Sequence, residues 1–366
     1  MPFERGSLSL RWYHLARPLP SDTADRLREH ACPDPEASGN QLVRGWVTGR
    51  HLLDRDLREE TVRVGALWRF TLATAQRKIP AALLRAHVQR EIQVHLAASP
   101  HGRVSRSQRQ EIRQMVTERL LPTMPYQLSG IDLVHIPETP WLFSTATSAA
   151  QNDVLVAQWS ATFGVAPDPM IPESLAALRR PGISASWRPV SFAPEVADDA
   201  CEVQPGHEFL TWLWHAAETG PGVFDLPGVG EIGVLVEGPL TFAREGSGAH
   251  ETVLRRGEPT QSLEAKAALL AGKKLKSARL TFARGDEQWA AQFNAAEFTA
   301  GALRLPNPES SDPVGRLEDR ATLLDTWREI LTALVDRFLD LRDSASDWSA
   351  TRRAMQDWVR SRSERK

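Results

Sequence analysis

The residues best suited to chemistry in this chain are cations. Between Arg77 and Pro122 stand Arg77, Lys78, Arg85, Arg90, Arg103, Arg106, Arg109, Arg113 and Arg119, nine positive side chains against Glu91, Glu111 and Glu118. The segment therefore carries +6 inside a chain whose formal net charge is -2. Guanidinium and ammonium groups gathered on one face bind phosphates, and the commonest partner of such a face is a polyanion, above all nucleic acid. Arg106, Arg109 and Arg113 recur at spacings of three and four, which puts them on one side of a helix. The bland alternative is the wet side of an amphipathic helix. The shortage of acids beside these arginines weighs against it, because unpaired like charges at helical spacing cost stability. A second cluster, Lys273, Lys274 and Lys276 with Arg255 and Arg256 upstream, reads equally well as a turn with solvated lysines or as a phosphate contact.

Other chemistries find little support. The chain has no GxxxxGK[ST] phosphate loop, no GxGxxG opening a helix and no GxSxG nucleophile turn. His207-Glu208 starts like HExxH, but position 211 is Thr, so the second zinc ligand is missing. Glu231 and Glu237 flank a strand with Lys273 downstream, which leaves a metal-dependent nuclease as an alternative, although scattered Glu on a hairpin is usually a solvated face. Cys32 and Cys201 are far apart with no CxxC, which argues against a zinc site or a disulfide framework and fits a reducing cytosol. The expectation is a chain without catalytic residues, metal or cofactor. The twelve tryptophans are numerous enough for a base-stacking surface. Trp212, Trp214, Trp289 and Trp327 nevertheless sit on apolar stripes, where core packing is the better reading.

The elements that must carry these residues are legible from periodicity. Ser7–Tyr13 alternates as a half-buried strand, Ser21–His30 reads as a helix capped by Ser21 or Asp22, and Ala66–Leu72 alternates again. Pro80 suits a first helical turn, after which Leu84, Val88, Ile92 and Leu96 form a stripe. Pro100-His101-Gly102 breaks that helix. Ser105 and Gln108 form a capping box for the next, whose buried face is Ile112, Met115, Val116 and Leu120. Ile131–Thr145 predicts two short strands and Ala149–Phe163 a helix. His207–Glu218 and Ser262–Ala271 predict helices, Gly228–Ala243 a hairpin or meander with Gly breaks, and Lys276–Phe282 and Gln288–Phe293 strands. Leu317, Leu324, Leu331 and Phe338 repeat every seven residues on a C-terminal helix, with Trp327, Leu334 and Leu341 at the offset positions and Arg320 as the exception. Such a seam packs on another helix, in the same subunit or a partner. A shorter helix with Trp348, Met355 and Trp358 ends in Arg360, Arg362, Arg365 and Lys366. This organisation implies residues 1–163 as an N-terminal α/β region with basic helices and 164–206 as a Pro/Ser/Ala-rich linker. Residues 207–314 follow as a second α/β region, and 315–366 as C-terminal helices with a basic tail. The N-terminus lacks the apolar core of a signal peptide, and no apolar run reaches membrane-spanning length.

In order, these segments resemble the bacterial recombination-associated RdgC family. The resemblance rests on Arg11-Trp12-Tyr13-His14-Leu15, Gly45-Trp46-Val47, Arg77-Lys78-Ile79-Pro80, Val104-Ser105-Arg106 and Leu120-Leu121-Pro122. Ser262 and Glu264, followed at a fixed spacing by Gly272-Lys273, complete it. It spans roughly residues 7–163 and 207–340. It implies a mixed α/β (α+β) protein that dimerises into a ring around duplex DNA, with little sequence preference and no catalytic activity. It also implies a cytoplasmic, nucleoid-associated role in restraining recombinase filaments. Duplex DNA, and secondarily single-stranded DNA, and a second copy of the chain are the expected partners, with no membrane. The expected DNA-binding residues are Arg77, Lys78, Arg103, Arg106, Arg109, Arg113, Arg255, Arg256, Lys273, Lys274 and Lys276. The expected dimer contacts are Met124, Pro125, Tyr126, Leu324, Leu331, Leu334 and Phe338. The chain departs from the family pattern after Leu120-Leu121-Pro122, where Pro125 stands in place of an aromatic and Tyr126 follows one step later. It departs again at Ser277, in place of a second lysine. A scaffold that uses only the C-terminal seam is the remaining alternative.

Overall fold

The computed structural model describes residues 2–98, 103–183, 187–244 and 250–361. The Pro100-His101-Gly102 break and Arg362, Arg365 and Lys366 of the basic tail lie outside the described residues. In chain order the first elements are β1 (Leu8–His14), α1 (Thr23–Glu29), β2 (Val43–Thr48), α2 (Glu59–Val62), β3 (Arg63–Val64) and β4 (Leu67–Arg77). Next come α3 (Ala81–Ala98), α4 (Arg106–Leu120), β5 (Tyr126–His135), β6 (Trp141–Ser144), α5 (Ala149–Phe163), β7 (Asp168–Pro169) and α6 (Pro172–Arg179). The remainder comprises α7 (Pro205–Thr219), β8 (Val223–Leu226), β9 (Gly230–Arg244), β10 (His250–Leu254), α8 (Leu263–Leu270) and β11 (Lys274–Arg284). It ends with β12 (Glu287–Asn294), β13 (Thr299–Arg304), α9 (Pro313–Asp343) and α10 (Ala345–Ser361). The protein is thus of the mixed α+β class.

Two compact units interleave along the chain. One comprises residues 1–19, 63–68 and 133–366, the other 20–62 and 69–132. The four consecutive blocks expected from composition follow chain order, whereas these units exchange chain within β4 and β5.

In the larger unit the strands run β10-β9-β11-β12-β13-β1-β6-β5, with β8 also on β9 and β7 on β1. Antiparallel pairing sets Phe282 opposite Trp289 and Leu280 opposite Ala291. These inward residues share one core with Phe209, Leu210 and Leu213 of α7 and the apolar stripe of α9. Gly228–Ala243, expected as a hairpin or meander, is mostly one fifteen-residue strand, β9, paired with β8. Helix α9 opens with an Asp312 carboxylate that accepts from the Val314 and Gly315 N–H groups and with Pro313 in its first turn. Its seven-residue seam is spent inside the chain. Leu324, Leu331, Leu334 and Phe338 are at most 2% exposed, and Phe338 meets the rings of Phe209, Trp212 and Trp348. These four are therefore core residues rather than dimer contacts: a heptad repeat tells only that a face is covered, not by what. Arg320, the charged exception in the seam, is also buried. It donates to the carbonyls of Phe3 (2.8 Å) and Gly6 (2.8 Å) and so fastens the N-terminal segment to α9.

Residues 164–206 are not a free linker. Their Pro-, Ser- and Ala-rich composition conceals Met170, Leu175, Ile183, Trp187, Val190 and Phe192, all of which enter the large core. Ser191 N–H and Arg352 both bond the Asp198 carboxylate, tying this segment to α10.

In the smaller unit β4 lies between β2 and β5. A small core of Cys32, Val43, Val47, Ala73 and Ala75 supports it. The Gly45-Trp46-Val47 motif has a steric origin. Trp46 exchanges backbone hydrogen bonds with His30 and Cys32, and a Cβ on Gly45 would lie within 2.6 Å of the Ala31–Cys32 backbone. Beyond this sheet the chain makes the pair α3 and α4, which pack on each other. The burial of Leu331 carries a prediction. Leu331→Ala should lower stability by about 2–5 kcal/mol through the cavity it leaves. The protein's mass in solution should stay unchanged, as checked by urea denaturation beside light scattering.

Candidate nucleic-acid interface

The basic segment folds as two helices with little apolar anchorage. No residue of α3 is buried, and α4 buries only Ile112 and Val116. Leu84, Val88, Ile92 and Leu96 form the half-buried side of α3, as their spacing predicts. Met115, expected on the buried face of α4, is 48% exposed. It lies to one side of the narrow stripe that Ile112 and Val116 fill. The capping box is present. The Ser105 hydroxyl accepts from Gln108 N–H, and the Gln108 side chain accepts from Ser105 N–H, so two end donors of α4 are satisfied.

Charge pairing on this surface is sparse. Arg119 bonds Glu91 at 2.9 Å and holds that carboxyl below the ordinary carboxylate range, with Arg90 3.6 Å from the same group. Lys78, Arg85, Arg103, Arg106, Arg109 and Arg113 are all exposed, and none enters an ion pair among the described residues. Arg106 and Arg109 fall in the first turn of α4, where the helix dipole disfavours cations. A surface that keeps six unpaired cations, some against the local dipole, is electrostatically strained alone and relieved by an anion. Arg77 is different. Its guanidinium donates to the carbonyls of Pro122 and Met124, lies 4.2 Å over the Tyr126 ring, and has a buried Nε. It faces the protein, not a phosphate. Of the neighbouring residues expected at a dimer contact, Pro125 is exposed, Met124 is half-buried, and the Tyr126 hydroxyl donates to the Gly39 carbonyl.

The second cluster does not hold together. Gly272, at φ +79°, turns the chain into β11. From there Lys273 donates to Thr252 Oγ1 at 2.7 Å, and Lys276 is paired with Glu251. Lys274 turns inward and is only 2% exposed. Its ammonium bonds Glu208 at 3.0 Å, and Glu208 bonds Arg342 at 2.6 Å on its other oxygen. Lys274 is therefore an interior ion-pair residue and not a DNA contact. A strand that starts in a basic turn gives no sign of which lysine points inward, and its counter-ion lies 66 residues away. Arg255 and Arg256 are exposed after β10 and form no ion pair among the described residues.

The carboxylates of the nuclease alternative are dispersed. Glu231 and Glu237 are both exposed on β9, six positions apart, which is about 20 Å of extended strand. Glu237 instead faces Arg279 at 3.9 Å. Among the described residues no group of three or more His, Cys, Asp or Glu is arranged to hold a metal ion. None of the described helices is long and apolar enough to cross a membrane.

Beside the buried triad lie features the sequence reading missed. His207 is buried with neither ring nitrogen bonded, and its pKa is pulled down to about 4 by burial and then by the nearby Lys274 and Lys276 ammoniums. Burial brings His215, whose ring meets Trp358 edge-on, to about 4 as well. The sequence signal was an apolar helix carrying His207, Glu208 and His215, which places at least some of these groups in the core.

Residues 9–176 match the family model described as "Putative exonuclease, RdgC". The match covers the first of the two regions in which the chain resembles that family. No curated protein matches the chain.

Two outcomes follow from the buried charges. Glu208→Ala should destabilise the fold by about 3–5 kcal/mol, because it leaves two interior cations without a counter-charge; the midpoint of urea unfolding reads this. His207 and His215 accept protons in the unfolded chain near pH 6.5 but resist them when folded. Their contribution to stability is complete above pH 6.5 and is lost as pH falls toward 4. Unfolding midpoints across that window should decline with acidification, and the decline should be shallower in His207→Gln.

Proposed function

We propose that this chain, which belongs to the RdgC family, is a recombination-related DNA-binding protein that engages the phosphate backbone through α3 and α4. The observation that carries the reading is the set of six exposed cations, Lys78, Arg85, Arg103, Arg106, Arg109 and Arg113, without counter-ions among the described residues. Arg255 and Arg256 are secondary candidates. Flexible cationic side chains on a helix surface neutralise phosphates but do not read bases, so binding is expected to be indifferent to sequence. On the same reading the chain forms a dimer that encircles duplex DNA at the nucleoid, restrains recombinase filaments and performs no catalysis. If a second copy closes a ring, the α9 seam is not its contact, which leaves Met124 and Pro125 as the remaining candidates.

A second reading comes from the matched family's own description as an exonuclease. Glu231 and Glu237, separated along β9, give it no paired carboxylates. Incubation of the protein with linear duplex DNA and Mg²⁺ or Mn²⁺ separates the readings: intact DNA is expected, and shortened DNA would establish the exonuclease.

The binding reading predicts a strong salt dependence. If all six cations engage phosphates, log K should fall against log salt with a slope of about -5. Arg106→Ala/Arg109→Ala/Arg113→Ala should reduce that magnitude by about 3 and weaken binding equally on every sequence. Fluorescence anisotropy on random-sequence duplexes from low to physiological salt reads both quantities. An unchanged slope in the triple variant would show that α4 is not the interface.

A further inference from the structure

The sequence places Arg77 among the phosphate ligands and Tyr126 at a dimer contact. The geometry points to a different role for both: we propose that Arg77 and Tyr126 form a latch that closes the base of the basic two-helix excursion and sets the direction in which its cations face. The inference rests on the DNA-binding reading of α3 and α4.

The excursion leaves the sheet at the end of β4 and returns at the start of β5, so Arg77 and Tyr126 stand at its two ends. The Arg77 guanidinium spans that gap. Its Nη1 donates to the carbonyls of Pro122 and Met124, on the segment joining α4 to β5, and its Cζ lies 4.2 Å from the centroid of the Tyr126 ring. Tyr126 is fixed in turn, since its hydroxyl donates to the Gly39 carbonyl in the loop before β2. Arg77 Nε is enclosed without a partner, so the group is turned inward rather than offered to a ligand. Apolar burial could otherwise fix the direction of these helices, but α3 buries no residue and α4 only two. With so little packing, the orientation of the hairpin depends on polar contacts at its base.

A planar guanidinium whose Nη1 donates to two carbonyls while its Cζ lies over an aromatic ring is not replaced by an ammonium, which has no planar face to lay on the ring. This distinguishes a latch from a phosphate contact. Arg77→Lys keeps the charge and loses the planar group over the Tyr126 ring; Tyr126→Phe keeps the ring and loses only the bond to Gly39, with no charge altered. The expected result is that Arg77→Lys binds random-sequence duplex about tenfold more weakly with its salt slope unchanged. Tyr126→Phe should weaken binding a few-fold in the same way. Without DNA, amide hydrogens around Thr123–Tyr126 should exchange faster in both variants, while those of β12 and α9 keep wild-type protection, which separates a loosened base from general unfolding.

Wild-type affinity in Arg77→Lys together with a salt slope reduced by about 1 in Arg77→Ala would overturn the latch and restore Arg77 as a phosphate ligand. Wild-type affinity and exchange in both Arg77→Lys and Tyr126→Phe would also overturn it. Should the wild-type protein fail to bind DNA at low salt, the functional reading falls, and the exchange measurement alone decides whether the base of the excursion is latched.

Discussion

Like charge held without counter-ions on and beside two helices is the constraint around which the smaller unit is arranged. Lys78, Arg85, Arg103, Arg106, Arg109 and Arg113 repel one another, and α3 and α4 bury too little apolar surface to offset this by packing. Local polar devices add to the half-buried apolar stripe between the helices. The Ser105–Gln108 capping box secures the start of α4, the Glu91–Arg119 bond joins the two helices, and Arg77 ties the end of α4 to the sheet. Each is a small contribution, of the kind that a helix cap or an exposed ion pair makes. Such a hairpin keeps its cations outward at small total cost.

The larger unit treats charge in the opposite way. Lys274, Glu208 and Arg342 form an interior row, Arg320 caps carbonyls of the N-terminal segment, and Arg179 and Arg180 are paired with Asp336 and Asp340 of α9. A buried carboxylate between two cations does not stabilise a fold more than a well-packed apolar cluster would, yet removing it strands its neighbours. The two ion pairs join α7 to β11 and to the end of α9, and a slip of any one of them would separate charges that are costly to bury alone.

Much of this was legible in the sequence where the signal is local. The capping box, the 3.6-residue stripe of α3 and the bounds of α5 follow from chemistry within a few residues, and the structure shows them as read. The seam of α9 was legible as a covered face but not as to what covers it, since Leu331 meets the same burial in its own chain's core as it would against a partner. Composition misled at 164–206, where six well-spaced apolar residues matter more than the intervening Pro and Ser. For single cations the sequence has no orientation to offer. Lys273, Lys274 and Lys276 stand within four positions, yet one is interior, one bonds a threonine and one meets a glutamate.

This difference in orientation decides how net charge should be understood. At physiological ionic strength a charge is screened beyond about 8 Å. The acids that bring the whole chain to -2 therefore do not cancel a cluster of cations more than a few residues' breadth away. What a phosphate chain meets is the local count of cations that face outward and lack a partner. On that measure Lys274 contributes nothing, Lys276 little and Arg77 only indirectly, whereas Arg106, Arg109 and Arg113 each contribute nearly a full charge. A near-neutral chain with a paired interior and one unpaired helical face thus has the electrostatics of a contact-range polyanion binder. On the proposed reading, little of the association rate would come from long-range attraction, and the affinity would come from the number of phosphates the hairpin reaches at once.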